Sequence, residues 1–118
     1  MKVAINTRYG GFNLSDEAFE LLLDKKGIEW EKDPDGLCYG ADYYHAGHVG
    51  ESNHFISRYN FYDNRTDKDL IEVIEELGEM ADGDHAELRI VEVPDDVQWT
   101  IEEYDGSEWV AENHRKWY

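Results

Sequence analysis

The sequence predicts an α+β fold: a mainly antiparallel sheet with two helices packed on one face, closed by a C-terminal β-hairpin. Three observations carry that prediction. Apolar residues recur at helical spacing behind a capping residue twice, at Phe19, Leu22 and Leu23 and again at Leu70, Ile71, Ile74 and Leu77. Ala86, Leu88 and Ile90 alternate with Glu87 and Arg89, the period of a half-buried strand. Asp105-Gly106 separates two further strand-like runs, 99–104 and 107–112, and Asp-Gly in that position is the strongest short hairpin signal.

In chain order, Val3, Ala4 and Ile5 form a short apolar run suited to a buried strand. Gly10-Gly11 then turns the chain through backbone angles that other residues resist. Ser15 caps the first helix, Leu14 and Phe19 staple its entry, Asp16 and Glu17 suit its positive end, and Gly27 stops it. Residues 28–31 alternate as a short strand, and Asp33-Pro34-Asp35-Gly36 is a turn. Residues 37–64 are rich in tyrosine and histidine, with a strand expected over 54–61. Thr66 is the expected cap of the second helix, with Val73 beside its buried stripe, Glu72, Glu75, Glu76 and Glu79 on its solvated face, and Gly83 at its end. A two-residue hairpin turn sets Ile101 opposite Val110 and Glu102 opposite Trp109, so Trp99, Ile101 and Val110 face the core while Glu102, Tyr104 and Trp109 face outward.

Composition narrows the function. A chain of 118 residues with 41% apolar side chains supports one core, and 1–118 is read as a single domain. The 28 acidic residues outweigh 11 Lys and Arg, for a net charge of −17. That balance argues against direct nucleic-acid binding and against anionic membranes, and suits a solvated protein or one with a basic partner. Cys38 is the lone cysteine, so no internal disulfide is expected and a reducing cytoplasm is the simplest setting. No leader and no apolar run of membrane-spanning length is expected.

The candidate site is the glycine turn. A strand, a glycine turn and a capped helix start make the shape of many anion-binding loops, and Arg8 adds a planar, bidentate donor. Asp16 and Glu17 compete for that helix start, and a strand-to-helix turn with no ligand is the alternative. Around the turn, the expected ligand contacts are Arg8, Tyr9, Gly10, Gly11 and Phe12, with Arg65 preceding the second helix, Tyr104 and Trp109 on the hairpin, and His114 and Arg115 in the basic tail. His45-Ala46-Gly47-His48 with His54 invites a metal reading, but neither a Cys pair nor H-E-x-x-H accompanies it, so these are read as surface or hydrogen-bonding histidines and no metal is assigned. No catalytic residue and no cofactor is assigned either, since no nucleophile motif is present.

Ile5-Asn6-Thr7, Tyr9-Gly10-Gly11-Phe12 and Leu14-Ser15 resemble the opening of a family of small, mostly uncharacterised phage and prophage proteins. The second half is similar too, in Leu70-Ile71, residues 75–78 and 90–97, and in the closing residues 101–106, 108–112 and His114-Arg115. The aromatic middle lies outside the resemblance. It implies a phage-encoded protein in the cytoplasm of a bacterial host cell, of a kind that often counters host defence. The leading expectation is sequestration, without turnover, of a nucleotide-derived immune signal, either cyclic ADP-ribose-like or a cyclic oligonucleotide. The arginines hold phosphate and the aromatic rings stack on a base. Alternatives are an acidic inhibitor or nucleic-acid mimic that binds a host protein, and a hydrolase using His45, His48 or His54. A homo-oligomer through Tyr104 and Trp109 is a further expectation.

Overall fold

The computed structural model describes residues 1–33 and 41–112. The 33–36 turn beyond its first residue, Cys38, and the tail with His114 and Arg115 lie outside the described residues. The fold is α+β, in the order β1 (Lys2–Asn6), α1 (Asp16–Lys25), β2 (Trp30–Asp33), β3 (Asp42–His45), β4 (Phe55–Ile56), α2 (Lys68–Leu77), β5 (Leu88–Glu92), β6 (Trp99–Tyr104) and β7 (Ser107–Glu112). The strands are divided among small antiparallel sheets, β1-β5, β2-β3-β4 and the β6-β7 hairpin, rather than gathered into one.

β1 is the strand the fold is built on, because it is buried on both faces. Ala4 joins the main core with Phe19, Leu22, Leu23, Leu70, Val73 and Ile74 of the two helices. Val3 and Ile5 point the other way, into a second cluster with Val93, against which Trp99, Ile101 and Val110 of the hairpin pack. One edge of β1 pairs with β5, from Lys2↔Glu92 to Asn6↔Leu88. Groups on its other edge are satisfied without a strand. The Ala4 N–H donates to the Arg65 carbonyl at 2.8 Å, and the Asn6 N–H donates to Glu108 Oε1 at 2.8 Å. Buried backbone groups need such partners, so the hairpin is held to β1 by a side chain as well as by apolar contact.

Helix α1 begins and ends as its sequence indicates. Ser15 Oγ accepts the Ala18 N–H at 3.1 Å, and Leu14 and Phe19 are both buried in the main core. Gly27, at φ +72, donates its N–H to the Asp24 carbonyl, and Ile28 donates to the Leu23 carbonyl, both at 3.0 Å. That paired C-terminal arrangement takes up Ile28, so β2 starts at Trp30 rather than at residue 28. The strand expected over 54–61 is only Phe55–Ile56, with 3₁₀ turns at Ser52–His54 and Arg58–Phe61 on either side.

Helix α2 corrects two expectations. Its cap is Asp67, whose side chain accepts the Leu70 N–H at 3.2 Å, while the Thr66 hydroxyl donates to Asn64 Oδ1 at 3.0 Å. Its stop is Gly78, at φ +57, with an N–H donating to the Ile74 carbonyl, and residues to Ala81 form a 3₁₀ turn. Gly83 serves elsewhere: its N–H donates to the Asn13 carbonyl at 2.9 Å, and a β-carbon there would meet Asn13 side-chain atoms at 2.6 Å. The acidic face of α2 is tied to neighbouring lysines, Glu75 to Lys2 at 2.7 Å and Glu76 to Lys25 at 3.0 Å. Asp67→Ala should therefore lower stability by about 1–2 kcal/mol through loss of the cap. Thr66→Ala should stay within about 0.5 kcal/mol. Urea unfolding of both variants compares the two caps directly.

The hairpin has the expected register, with Ile101↔Val110 and Glu102↔Trp109. Asp105 (φ +52) and Gly106 (φ +89) take the left-handed angles that a type I′ turn requires at both central positions. No helix of the described residues is long and apolar enough to cross a membrane.

Candidate functional site

Two turns meet at the end of β1. The strand delivers Asn6 to the junction, where this fully buried amide serves both turns. Its Nδ2 donates to the Arg8 carbonyl at 2.6 Å and to the Gly106 carbonyl at 2.8 Å, while its Oδ1 accepts the Glu87 N–H at 2.9 Å. The Gly10 N–H donates to the Asp105 carbonyl at 3.0 Å. The glycine turn is thus pressed onto the hairpin turn. A β-carbon on Gly106 would lie 2.3 Å from the Gly11 nitrogen, and one on Gly10 would lie 3.0 Å from His85 Cβ.

This arrangement gives the glycines a reason other than an anion. Gly10 and Gly11 take φ of +123° and +104°, and Gly10 must also admit a close backbone neighbour. The Gly10 N–H that the sequence offers to a phosphate is spent on Asp105. Among the described residues no buried side-chain nitrogen or oxygen lacks a hydrogen-bond partner.

The expected contact residues divide into two groups. Phe12 and Arg65 turn inward. Phe12 is in the main core, edge-on to Tyr62 at 5.0 Å, with the Arg65 guanidinium 3.8 Å above its ring. Arg65 grips Glu108 with two bonds, at 2.7 and 3.0 Å, and also donates from Nε to the Tyr62 carbonyl at 2.5 Å. The side chains of this pair are only 13% and 10% exposed, so it is an internal clamp and not a surface ion pair or an anion site. Arg8, Tyr9, Tyr104 and Trp109 turn outward, with Tyr9, Tyr104 and Trp109 exposed by 62%, 71% and 45%. The Tyr9 and Tyr104 rings meet edge-on at 6.4 Å across the two turns, and Trp109 lies on the same hairpin face as Tyr104. Tyr9 and Tyr104 thus head an exposed aromatic ridge that takes in Trp109 on the hairpin face, with Arg8 preceding Tyr9 in the chain. His114 and Arg115 lie outside the described residues.

The helix start behind the turn is filled by the protein itself. Arg58 pairs with Asp16, donates to the Leu14 and Ala41 carbonyls at 2.9 and 3.1 Å, and lies over the rings of Phe19 and Tyr43. Asp16 is therefore held by Arg58. Tyr62, whose hydroxyl accepts the Leu14 N–H at 3.0 Å, has its pKa raised by burial. Burial raises that of Tyr43 too, helped by its bond to Glu20 at 2.7 Å. A cleft of about 220 Å³ opens beside this helix start, between residues 13–17, Arg58 and residues 82–84, and neither Arg8 nor the glycine turn lines it.

A separate grouping sits in the β3–β4 connection. One imidazole nitrogen each from His48 and His54 and one Glu51 carboxylate oxygen lie within 4.8 Å of one another. The sequence reading singled out both histidines but not Glu51. The signal that would have found it is spacing, since residues 45, 48, 51 and 54 are His, His, Glu and His.

Set beside known proteins, the chain matches no family model, no curated protein and no solved structure.

Proposed function

We propose that this protein acts by binding and holding its target without turning it over, an anti-defence role of the kind its phage-protein resemblance implies. The ridge of Arg8, Tyr9, Tyr104 and Trp109 is the contact surface. One observation carries this reading: Tyr9 and Tyr104 stay exposed and meet edge-on where the two turns come together, with exposed Trp109 on the same hairpin face as Tyr104. Exposed Tyr and Trp beside an Arg are the residue types that dominate the energy of protein interfaces. The net charge of −17 suits a partner with a basic surface.

The target that fits best is a host protein. The filled turn favours it, because the Gly10 N–H is bonded to Asp105 while the ridge side chains stay exposed. Capture from host lysate at low salt tests this. The parent should retain a basic partner that a Tyr104→Ala/Trp109→Ala double variant releases, and equal capture by both would remove the ridge from the function. Sedimentation of the same pair separates a host partner from self-association through this face.

The nucleotide reading keeps one supporting observation, an exposed Arg8 directly before Tyr9, whose ring meets that of Tyr104 on a surface where a base can stack. In that case Arg8→Ala should weaken binding roughly 10- to 100-fold, because a hydrogen bond to a charged group contributes about 1.5–3 kcal/mol. Melting should hardly move, since exposed substitutions stay within about 0.5 kcal/mol. Calorimetry against cyclic ADP-ribose-like and cyclic-oligonucleotide ligands measures this. Heat-silent titrations across the panel would leave the protein target as the sole reading.

A further inference from the structure

We propose that His48, Glu51 and His54 form a binding site for a divalent transition-metal ion, with zinc the best fit. The site is distinct from the aromatic ridge and does not depend on it. Its basis is a loop whose successive turns bring these three side chains together. The loop joins β3 to β4, and its mouth is closed by the pair Tyr44↔Phe55, whose rings meet edge-on at 5.6 Å. Inside it the backbone makes three successive turns. The His48 N–H donates to the His45 carbonyl at 3.0 Å, the Glu51 N–H to the His48 carbonyl at 3.0 Å, and the His54 N–H to the Glu51 carbonyl at 2.9 Å.

These three bonds step the chain from His45 to His48, Glu51 and His54, and the last three side chains come together. The sequence enforces the turns. Gly47 and Gly50, at φ +84 and +86, occupy the third position of the first two, where a type II turn needs a positive φ. The third turn is the 3₁₀ segment Ser52–His54. The loop is also fixed to β2 and the residue before it, since the Ala46 N–H donates to the Glu29 carbonyl at 3.1 Å and the Gly47 N–H to Glu31 Oε1 at 2.5 Å. The backbone under the three ligands is therefore set before any metal arrives.

The three side chains lie together, with the two rings stacked face to face. The His48 and His54 rings lie 3.7 Å apart and nearly parallel, and His48 Nδ1 is 2.5 Å from Glu51 Oε2. Zinc bonds of about 2.0–2.2 Å in a tetrahedron place ligand atoms roughly 3.3–3.5 Å apart. Binding therefore requires the His48 and His54 rings to rotate out of their stack until their nitrogens converge on one point. Two imidazoles and a carboxylate suit zinc and its neighbours, whereas magnesium and calcium prefer oxygen alone. The charge of −17 raises the local concentration of any cation.

The test is calorimetric titration of the chelator-treated full chain with zinc chloride. One saturable site per chain is expected. His48→Ala and His54→Ala should each weaken it by more than about tenfold, since even outer-shell changes cost about 10- to 100-fold. Glu51→Gln keeps the shape but removes the charged oxygen and should weaken it as well. His85→Ala, a histidine outside the loop, should leave it unchanged. Imidazole NMR resonances of His48 and His54 in the parent should shift with zinc, a readout that survives even if a variant folds poorly. Absence of saturable binding, full affinity in a His48→Ala/His54→Ala double variant, or unmoved His48 and His54 resonances would each overturn the site.

Discussion

Replacing Arg65 with alanine should destabilise the fold by about 3–5 kcal/mol, the cost of breaking a buried ion pair by removing one partner. At about 4 °C per kcal/mol this lowers Tm by roughly 10–20 °C. The size follows from what Arg65 holds. Its guanidinium takes both oxygens of Glu108, the Tyr62 carbonyl and the face of Phe12. Glu108 in turn accepts the Asn6 N–H on the free edge of β1. Without Arg65 a carboxylate only 10% exposed loses its counter-charge, and the link between hairpin and β1 loosens with it. Arg65→Lys should also be costly, because an ammonium cannot match the bidentate grip. An Arg65→Met/Glu108→Leu double variant should recover much of the loss, since matched apolar replacement of a buried pair is often neutral or better. Thermal melts of the parent, both single variants and the double decide the matter. A Tm change below about 2 °C for Arg65→Ala would mean that Arg65 is free for a ligand after all.

Gly106→Ala should cost roughly 2–5 kcal/mol, combining about 1–3 for overpacking with about 1–2 for a side chain at left-handed φ. The new β-carbon would lie 2.3 Å from the Gly11 nitrogen and 2.7 and 2.8 Å from the nitrogen and carbonyl carbon of Gly10. All three atoms are backbone, so no rotamer change relieves the contact and the two turns must separate. Gly11→Ala is the control. It has a similar backbone angle, φ +104, but open space around the added carbon, so it should show only the conformational part. Amide exchange at Gly10, whose N–H bonds the Asp105 carbonyl, should accelerate in Gly106→Ala while the β6-β7 ladder stays protected. Equal losses in the two variants would show that the turns are not pressed together. The Arg65 and Gly106 changes release the same hairpin, so their effects should not add.

The parts of this fold legible in the sequence are those decided by near neighbours. Ser15 and Gly27 mark the ends of α1 because caps depend on residues a few positions away. Asp105-Gly106 fixes the hairpin register, and with it which faces Trp99 and Trp109 take, because a two-residue turn leaves no slack. Local rules also misplace where two residues compete. Asp67 takes the cap from Thr66, and Gly78 stops α2 ahead of Gly83.

Tertiary structure alone decided what lies far apart in the chain. Nothing near Ile5 names Arg89 as its partner or tells the strands to divide into separate sheets. Phe12 and Arg65 have the composition of a ligand site, yet they are buried against each other because Glu108, 43 residues beyond Arg65, supplies the counter-charge. The glycine turn looks like an anion cradle until the hairpin turn, some 95 residues on, occupies it through the bond from Gly10 to Asp105. Residue type and spacing determine which groups a chain offers. Long-range packing decides which of them are consumed inside, and here that left Arg8, Tyr9, Tyr104 and Trp109 outside.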